Sequence, residues 1–314
     1  MVTRQAKNTK LSNNSSKSNR KFNLFGIGAF MGLADLVPGV SGGTIAFIFG
    51  IYEELVAAIK SVTSKTITLT LKGNIIAAFR SVPFNFLVPL LGGIVLAIFT
   101  MAGLVSYLID NHTTYIYAAF FGLIVGSVYV VSQRLPRWRM QDKLALVAGA
   151  VSVFLIVGLT AGDLPATPLV FFLTGLVAFC AMILPGISGS LIMLIIGSYT
   201  AVLQAVSDKN ISLLLFLVIG GAIGLALFSR LLSWLLLSHH NVVVALLIGM
   251  MIGSLRKVWP WQEIVEGDLT RNVLPSIDLK LLLVFIIIVV AAILIVRLGQ
   301  RGIIHDHRLE DIRQ

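Results

Sequence analysis

From Leu281 to Val296 the chain carries sixteen consecutive residues without one polar side chain, and this run limits the fold more than any other feature. With its flanks, at 1.5 Å per residue, it is long enough to cross a bilayer as a helix. Hydrocarbon offers no partner to a free backbone N–H or C=O, so a spanning segment must be a helix or part of a closed barrel. Unbroken apolar runs without two-residue alternation select helices. Composition agrees, since 57% of the 314 residues are hydrophobic, 12% are charged and the mean hydropathy is +0.95. A water-soluble core cannot absorb that excess. The expected class is an all-α polytopic membrane protein.

The net charge of +10 could suggest nucleic acid, but the basic residues are dispersed over loops and tails beside apolar runs. Topology explains them better, and no nucleic-acid partner is expected. The first 23 residues hold six Lys/Arg, no acid and many Ser and Asn. They read as a disordered cytoplasmic tail, without the small-residue cleavage site of a signal peptide. Cys180 is the only cysteine, which excludes a disulfide framework and a thiolate metal site.

The chain repeats itself. Gly28, Ala34, Pro38, Gly39, Ser41, Gly42, Gly50, Tyr52 and Ala58 match Gly175, Ala181, Pro185, Gly186, Ser188, Gly189, Gly197, Tyr199 and Ala205 at a constant offset of 147. Further on, Gly92, His112, Ala118, Gly122, Gly126 and Ser127 match Gly220, His239, Ala245, Gly249, Gly253 and Ser254 at offsets of 127 or 128, so the second copy has a shorter loop. Each copy reads as a Pro/Gly-broken pair of apolar pieces followed by three apolar runs. The first copy has them at about 24 to 37, 40 to 59, 86 to 109, 115 to 131 and 144 to 160. The second has them at about 169 to 184, 187 to 205, 213 to 237, 242 to 254 and 281 to 297. The sequence thus divides into a tail over 1–23, a membrane unit over 24–160, a second unit over 168–300 and a C-terminal cytoplasmic tail over 301–314.

The first piece of each broken pair is shorter than the roughly 20 residues a span needs, which predicts a re-entrant hairpin. Such a pair makes no net crossing. Three further spans then give each unit an odd number, and the second unit must be inverted relative to the first. Charge placement is an independent argument. With both termini cytoplasmic, 19 of the 24 Lys/Arg fall inside, among them Lys60, Lys65, Lys72, Arg80, Arg134 and Arg230. Only Lys209, Arg256, Lys257, Arg271 and Lys280 fall outside, and the last four are offset by Glu263, Glu266, Asp268 and Asp278. This obeys the positive-inside rule.

Inverted repeats with broken helices are the architecture of secondary transporters, where half-helix ends form the substrate site near the midplane. Here those ends are Pro38, Gly39, Ser41, Gly42, Gly43 and Thr44 in the first copy, and Pro185, Gly186, Ser188, Gly189 and Ser190 in the second. Proline stops the first half-helix and glycine permits the reversal. Ser41 and Ser188 stand where an N-cap belongs, and the small residues after them leave N–H groups open to an anion, above all a phosphate. A tight turn with close packing is the competing reading. Asp35 lies three residues before Pro38 in an apolar stretch, and its counterpart is Met182. Two roles fit it, uptake of a proton that couples transport or capping of the turn. Arg230 lies inside an apolar run, so it either snorkels to the cytoplasmic face or meets the phosphate; Arg80 either meets the phosphate or enforces topology. Glu53 and Glu54 read as solvated interfacial residues, His112 and His239 as loop-end residues without metal-ligand companions, and Trp259-Pro260-Trp261 as an outer aromatic belt. No metal and no cofactor is expected.

Three stretches carry a family resemblance: Ala34-Asp35-Leu36-Val37-Pro38-Gly39-Val40-Ser41-Gly42-Gly43-Thr44, Pro185-Gly186-Ile187-Ser188-Gly189-Ser190 and Gly253-Ser254-Leu255-Arg256-Lys257-Val258-Trp259-Pro260-Trp261. In this order they resemble the polyprenyl-phosphate transporter family, over about residues 22 to 300. The resemblance implies a multi-pass protein of the bacterial plasma membrane that returns undecaprenyl phosphate from the outer to the inner leaflet, recycling the carrier lipid of cell-wall synthesis. A small-anion transporter or channel would use the same helix ends. The enzyme alternative is a membrane phosphatase acting on the same lipid, whose motif resembles PGxSRSxxT. Gly42 and Gly189 occupy the arginine's place here, which removes the charge that phosphoryl chemistry needs.

Overall fold

Several helices in this chain begin where a side chain satisfies the first free N–H groups. Asn74 accepts from Ala77 N, Thr167 from Val170 N and Asn210 from Leu213 N, each opening a helix. The computed structural model describes residues 20–37, 40–135, 137–159, 164–266, 269–275 and 277–310; Pro38 and Gly39, two of the expected site residues, lie outside the described residues. A helix over residues 20–35 (α1) is followed by α2 (Gly42–Ile48) and α3 (Tyr52–Lys60). A π-helical segment (Ser61–Thr66), α4 (Ile67–Leu71) and α5 (Ile75–Ser81) lead into α6 (Phe84–Ser132) and α7 (Met140–Ile156). The second half contains α8 (Pro168–Ile183), α9 (Gly189–Ile196), α10 (Tyr199–Ser207), α11 (Ile211–Ser238), α12 (His240–Ser254) and α13 (Leu279–Glu310), with a hairpin of β1 (Gln262–Glu266) and β2 (Leu269–Asn272) before α13.

Among the described residues, α6, α11 and the Leu279–Gln300 part of α13 are long and apolar enough to cross a membrane. The chain is a multi-pass helical membrane protein. Several boundaries differ from the sequence reading. The runs at 86 to 109 and 115 to 131 are two helical pieces of α6 that meet at a kink with no loop between them, where His112 leaves the helical conformation (φ −138°, ψ 36°). His239 takes almost the same conformation (φ −138°, ψ 45°) at the junction of α11 and α12. Helix is already formed at residue 20, inside the stretch assigned to the tail, and α13 runs past residue 300, since no proline stops it. The strand pair departs from an all-α chain. Trp259 Nε1 donates to Val273 O at 2.9 Å while its ring packs on Phe121 and Trp261, so the Trp-Pro-Trp stretch ties the hairpin to α6 as well as supplying aromatics.

The offset change from 147 to 127 has a location. Residues 61–81, expected as the longer loop of the first copy, form the π segment, α4 and α5.

Helix packing rests on glycine at close approaches. A Cβ on Gly28 would lie 2.1 Å from Leu90 O, and one on Gly93 would lie 2.0 Å from Phe25 O, which joins α1 to the start of α6. The same contacts recur between α8 and α11, where a Cβ added to Gly175 would run into Leu217 O and one added to Gly220 into Phe172 O. Gly93 is therefore the residue that behaves like Gly220, one place beyond Gly92. Gly122 and Gly126 of α6 face the carbonyls of Ile288 and Ala292 on α13, while Gly249 and Gly253 of α12 face those of Leu146 and Ala150 on α7. The last helix of each half thus packs on the other half.

Both broken units turn back. Arg20, at the start of α1, donates to both carboxylate oxygens of Glu54 on α3 at 2.7 and 2.8 Å. Phe171 of α8, Ala205 of α10 and Leu217 of α11 form one buried cluster. Gly50 (φ +75°) and Gly197 (φ +80°) make the sharp bends after α2 and α9, in a left-handed conformation that would cost a residue with a side chain roughly 1–2 kcal/mol. The α9–α10 bend is 110°.

Gly28→Ala and Gly175→Ala should each lower the thermal unfolding midpoint in detergent, at a cost of about 1–3 kcal/mol from overpacking. Gly26→Ala, with nothing within 4 Å of the added carbon, should leave it unchanged or raise it through helix propensity. Equal effects at all three positions would contradict the close-approach account.

Candidate functional site at the meeting of two broken helices

Pro185 ends α8 as expected, since the residue before it, Leu184, is extended (φ −73°, ψ 132°). Gly186 reverses the chain at φ +85°. Ser188 then starts α9 as its N-cap, with its Oγ accepting from Leu191 N at 3.2 Å. Ser41 starts α2 in the same way, extended at φ −127° and ψ 136°, with its Oγ accepting from Gly43 N at 3.1 Å. The capping role read from sequence is present at both serines.

The two starts are also bound to each other. Gly186 N donates to Thr44 Oγ1 at 3.0 Å, and Ser41 Oγ donates to Met182 O at 3.3 Å. Gly43 lies against the end of α8, where a Cβ would come 2.7 Å from Ile183 O. Ser41 and Thr44 are fully buried, and Val37, Val40 and Ile187 close the apolar shell around them. Residues more than 140 apart in the chain therefore complete one another's hydrogen bonds at the centre of the fold.

At this centre the halves differ in one respect. Asp35 Oδ1 accepts from Gly42 N at 2.6 Å, and Thr44 N donates to Ser41 O at 2.9 Å, so the first N–H groups of α2 are taken. In α9 the Asp35 position is held by Met182, whose side chain packs where a Cβ on Gly189 would lie. Among the described residues no acceptor engages the N–H groups of Gly189 and Ser190. Ser190 Oγ lies 3.2 Å from Ser188 Oγ. Asp35 and Met182 both remain on the accessible surface.

The expected arginines are not brought to these turns. Arg230 Nε donates to Ser64 Oγ at 2.6 Å, and Arg80 is exposed near the end of α5. Arg134, which the sequence reading used only for topology, donates from Nη2 to Ile48 O at 2.8 Å and places its guanidinium beside Gly50. A cation there favours the C-terminal end of α2. No local signal could have found it, because the contact spans 86 residues. Glu53 pairs with His240 at 2.9 Å, and Glu54 with Arg20, both at exposed positions. Groups of three or more His, Cys, Asp or Glu able to hold a metal are absent among the described residues.

Thr44→Val should cost about 1–3 kcal/mol in thermal unfolding, the penalty of leaving the buried Gly186 N–H unpaired. Thr44→Ser, which keeps the hydroxyl, should recover most of it. A Val variant as stable as wild type would remove this bond from the account.

With this geometry in place, comparisons with known proteins become informative. The sequence model of a family described as undecaprenyl phosphate translocase-like matches residues 31–275. A protein of Vibrio cholerae named polyprenyl-phosphate transporter is 42% identical over 236 residues, 75% of this chain and 77% of the relative. A protein of Staphylococcus aureus with the same name is 30% identical over 251 residues, 74% of this chain and 84% of the relative. No solved structure matches.

Proposed function

This chain belongs to the undecaprenyl phosphate translocase-like family, whose model covers residues 31–275, and we propose that it carries a polyprenyl phosphate, undecaprenyl phosphate in particular, from the outer to the inner leaflet of a bacterial plasma membrane. The observation that carries the reading is the pair of capped, mutually bonded half-helix starts, of which one has free N–H groups. A lipid phosphate has one small charged group to hide from hydrocarbon, and its isoprenoid tail can stay in lipid. A groove with an anion-binding turn meets that need.

We place the phosphate at the meeting of Asp35, Ser41, Gly42, Gly43 and Thr44 with Pro185, Gly186, Ser188, Gly189 and Ser190. The second turn holds it, because the first has its N–H groups occupied. The Asp35 carboxylate is then a competing anion beside the site. Protonation of Asp35 removes the repulsion and weakens its grip on Gly42 N, so a proton taken up there favours loading of the phosphate and couples the two movements. Arg80 and Arg230 are assigned to the cytoplasmic side of the path. The step is transport without bond cleavage, since Gly42 and Gly189 supply no charge for phosphoryl chemistry.

The two units, over 24–160 and 168–300, are proposed to be inverted copies, each a re-entrant pair and three spans, with both termini cytoplasmic. Support comes from the matched glycine contacts, the twin bends at Gly50 and Gly197, the twin conformations of His112 and His239, and the excess of inside cations. Rocking of one unit against the other would alternate access to the phosphate.

Surface-exposed undecaprenyl phosphate, measured in cells with and without the protein, tests the function. Loss of the protein should raise the outer-leaflet pool, and Gly189→Leu, which blocks approach to the open N–H groups, should reproduce at least about a tenfold loss of transport, the equivalent of one charge-assisted bond. Wild-type transport should fall as pH rises, and Asp35→Asn should flatten that dependence. An unchanged lipid pool would refute the function; an unchanged pH profile in Asp35→Asn would leave that residue only its cap.

A further inference from the structure

The cations that the central turns do not use gather at a different place. Lys60 Nζ donates to Ser233 Oγ at 3.1 Å, and Arg230 Nε donates to Ser64 Oγ at 2.6 Å. Lys60 and Ser64 lie about one helical turn apart, as do Arg230 and Ser233 on α11, so the seam pairs two cations and two hydroxyls crosswise. Neither cation has an acidic partner among the described residues. The acids of the neighbouring α3 are engaged elsewhere, Glu54 with Arg20 and Glu53 with the His240 ring, and no Asp or Glu occurs in residues 61–83 or along α11. Two neighbouring positive charges without a counter-anion repel each other, and hydroxyls do not neutralise them.

The backbone beneath the seam is unusual. Ser61–Thr66 is π-helical, a form that is rare and concentrated at functional sites. It is fixed by bonds from Ser61 Oγ to Ser81 O at 2.9 Å and between Thr66 Oγ1 and Ser81 Oγ at 2.8 Å. These ties bring the end of α5, and with it Arg80, next to the π segment. This segment belongs to the 20-residue excess of the first unit, so the second unit has no equivalent. Ile75, Ile76 and Phe79 on α5, and Leu231, Trp234 and Leu237 on α11, are exposed around it.

From this geometry we propose that Lys60, Ser64, Arg230 and Ser233 form a second anion site that takes the phosphate monoester head of a lipid at the cytoplasmic edge of the membrane. A phosphate monoester carries about −1.5 to −2 charge and three acceptor oxygens, which matches two cations and two hydroxyl donors better than a singly charged phosphodiester does. The exposed apolar side chains give the tail a path that free phosphate would not use. The inference rests on the reading that this protein handles a lipid phosphate, and it adds a station separate from the central turns.

The test is binding of farnesyl phosphate to the purified full chain in detergent, read as heat protection and as ligand count by native mass spectrometry. Arg230→Gln and Lys60→Gln should each weaken binding about tenfold and remove one bound ligand, and Arg230→Lys should retain it within about threefold. Lys72→Gln, a cation of the same insert outside the seam, should have no effect. Gly189→Leu should remove the other ligand, so failure of the central site and failure of the seam are read on different variants. The seam is overturned if Arg230→Gln and Lys60→Gln bind as wild type, if Lys72→Gln loses as much as they do, or if inorganic phosphate or phosphatidylglycerol protects the Arg230-dependent site as well as farnesyl phosphate does.

Discussion

A broken helix inside a membrane must satisfy the backbone groups that the break sets free, because hydrocarbon will not. In this protein two breaks satisfy one another. Thr44, the third residue of α2, supplies the acceptor for Gly186 N; Ser41, while capping its own helix, also donates to the carbonyl of Met182. The rest of the fold serves that meeting. Glycine at Gly28, Gly93, Gly175 and Gly220 lets α1 and α8 lie directly on the long helices α6 and α11. The exchange of α7 and α13 between halves holds the two turns in register.

The proposed function rests on a departure from that pairing. With Asp35 at one turn and Met182 at the other, the same backbone is filled in one half and open in the other. A symmetrical pair of open turns would have no built-in competitor for an anion, and a symmetrical pair of carboxylates would repel one. In the proposed transport, the single carboxylate gives a site whose affinity follows the charge on one side chain. Asp35 itself remains on the accessible surface.

Much of this was legible in the sequence because it depends on local rules. The apolar runs, the helix ends at Pro185, Ser41 and Ser188, and the bends at Gly50 and Gly197 follow from proline, capping hydroxyls and glycine, each acting within a few residues. The two runs on either side of His112 were legible as separate pieces, but the kink that joins them without a loop was not, because no proline or glycine marks it. The π segment and its two neighbouring helices were seen only as a change of offset. Arg134 on Ile48 O and Arg230 on Ser64 could not be read at all, since each contact joins residues far apart in the chain. The β1–β2 hairpin was hidden because its acidic and basic residues were read only for their charge balance.

The central claim is that the two turns approach from opposite faces of the membrane, so that the second turn can hold the phosphate while access alternates between the leaflets. Cysteine accessibility tests this directly, in a Cys180→Ser background with an impermeant thiol reagent on intact cells. Thr113→Cys, at the bend of α6, and Asp208→Cys, between α10 and α11, should both react, and Gln133→Cys, after α6, should react only once the membrane is opened. Labelling of Gln133→Cys in intact cells, with Thr113→Cys and Asp208→Cys protected or on opposite sides, would contradict the inversion and the shared site built on it.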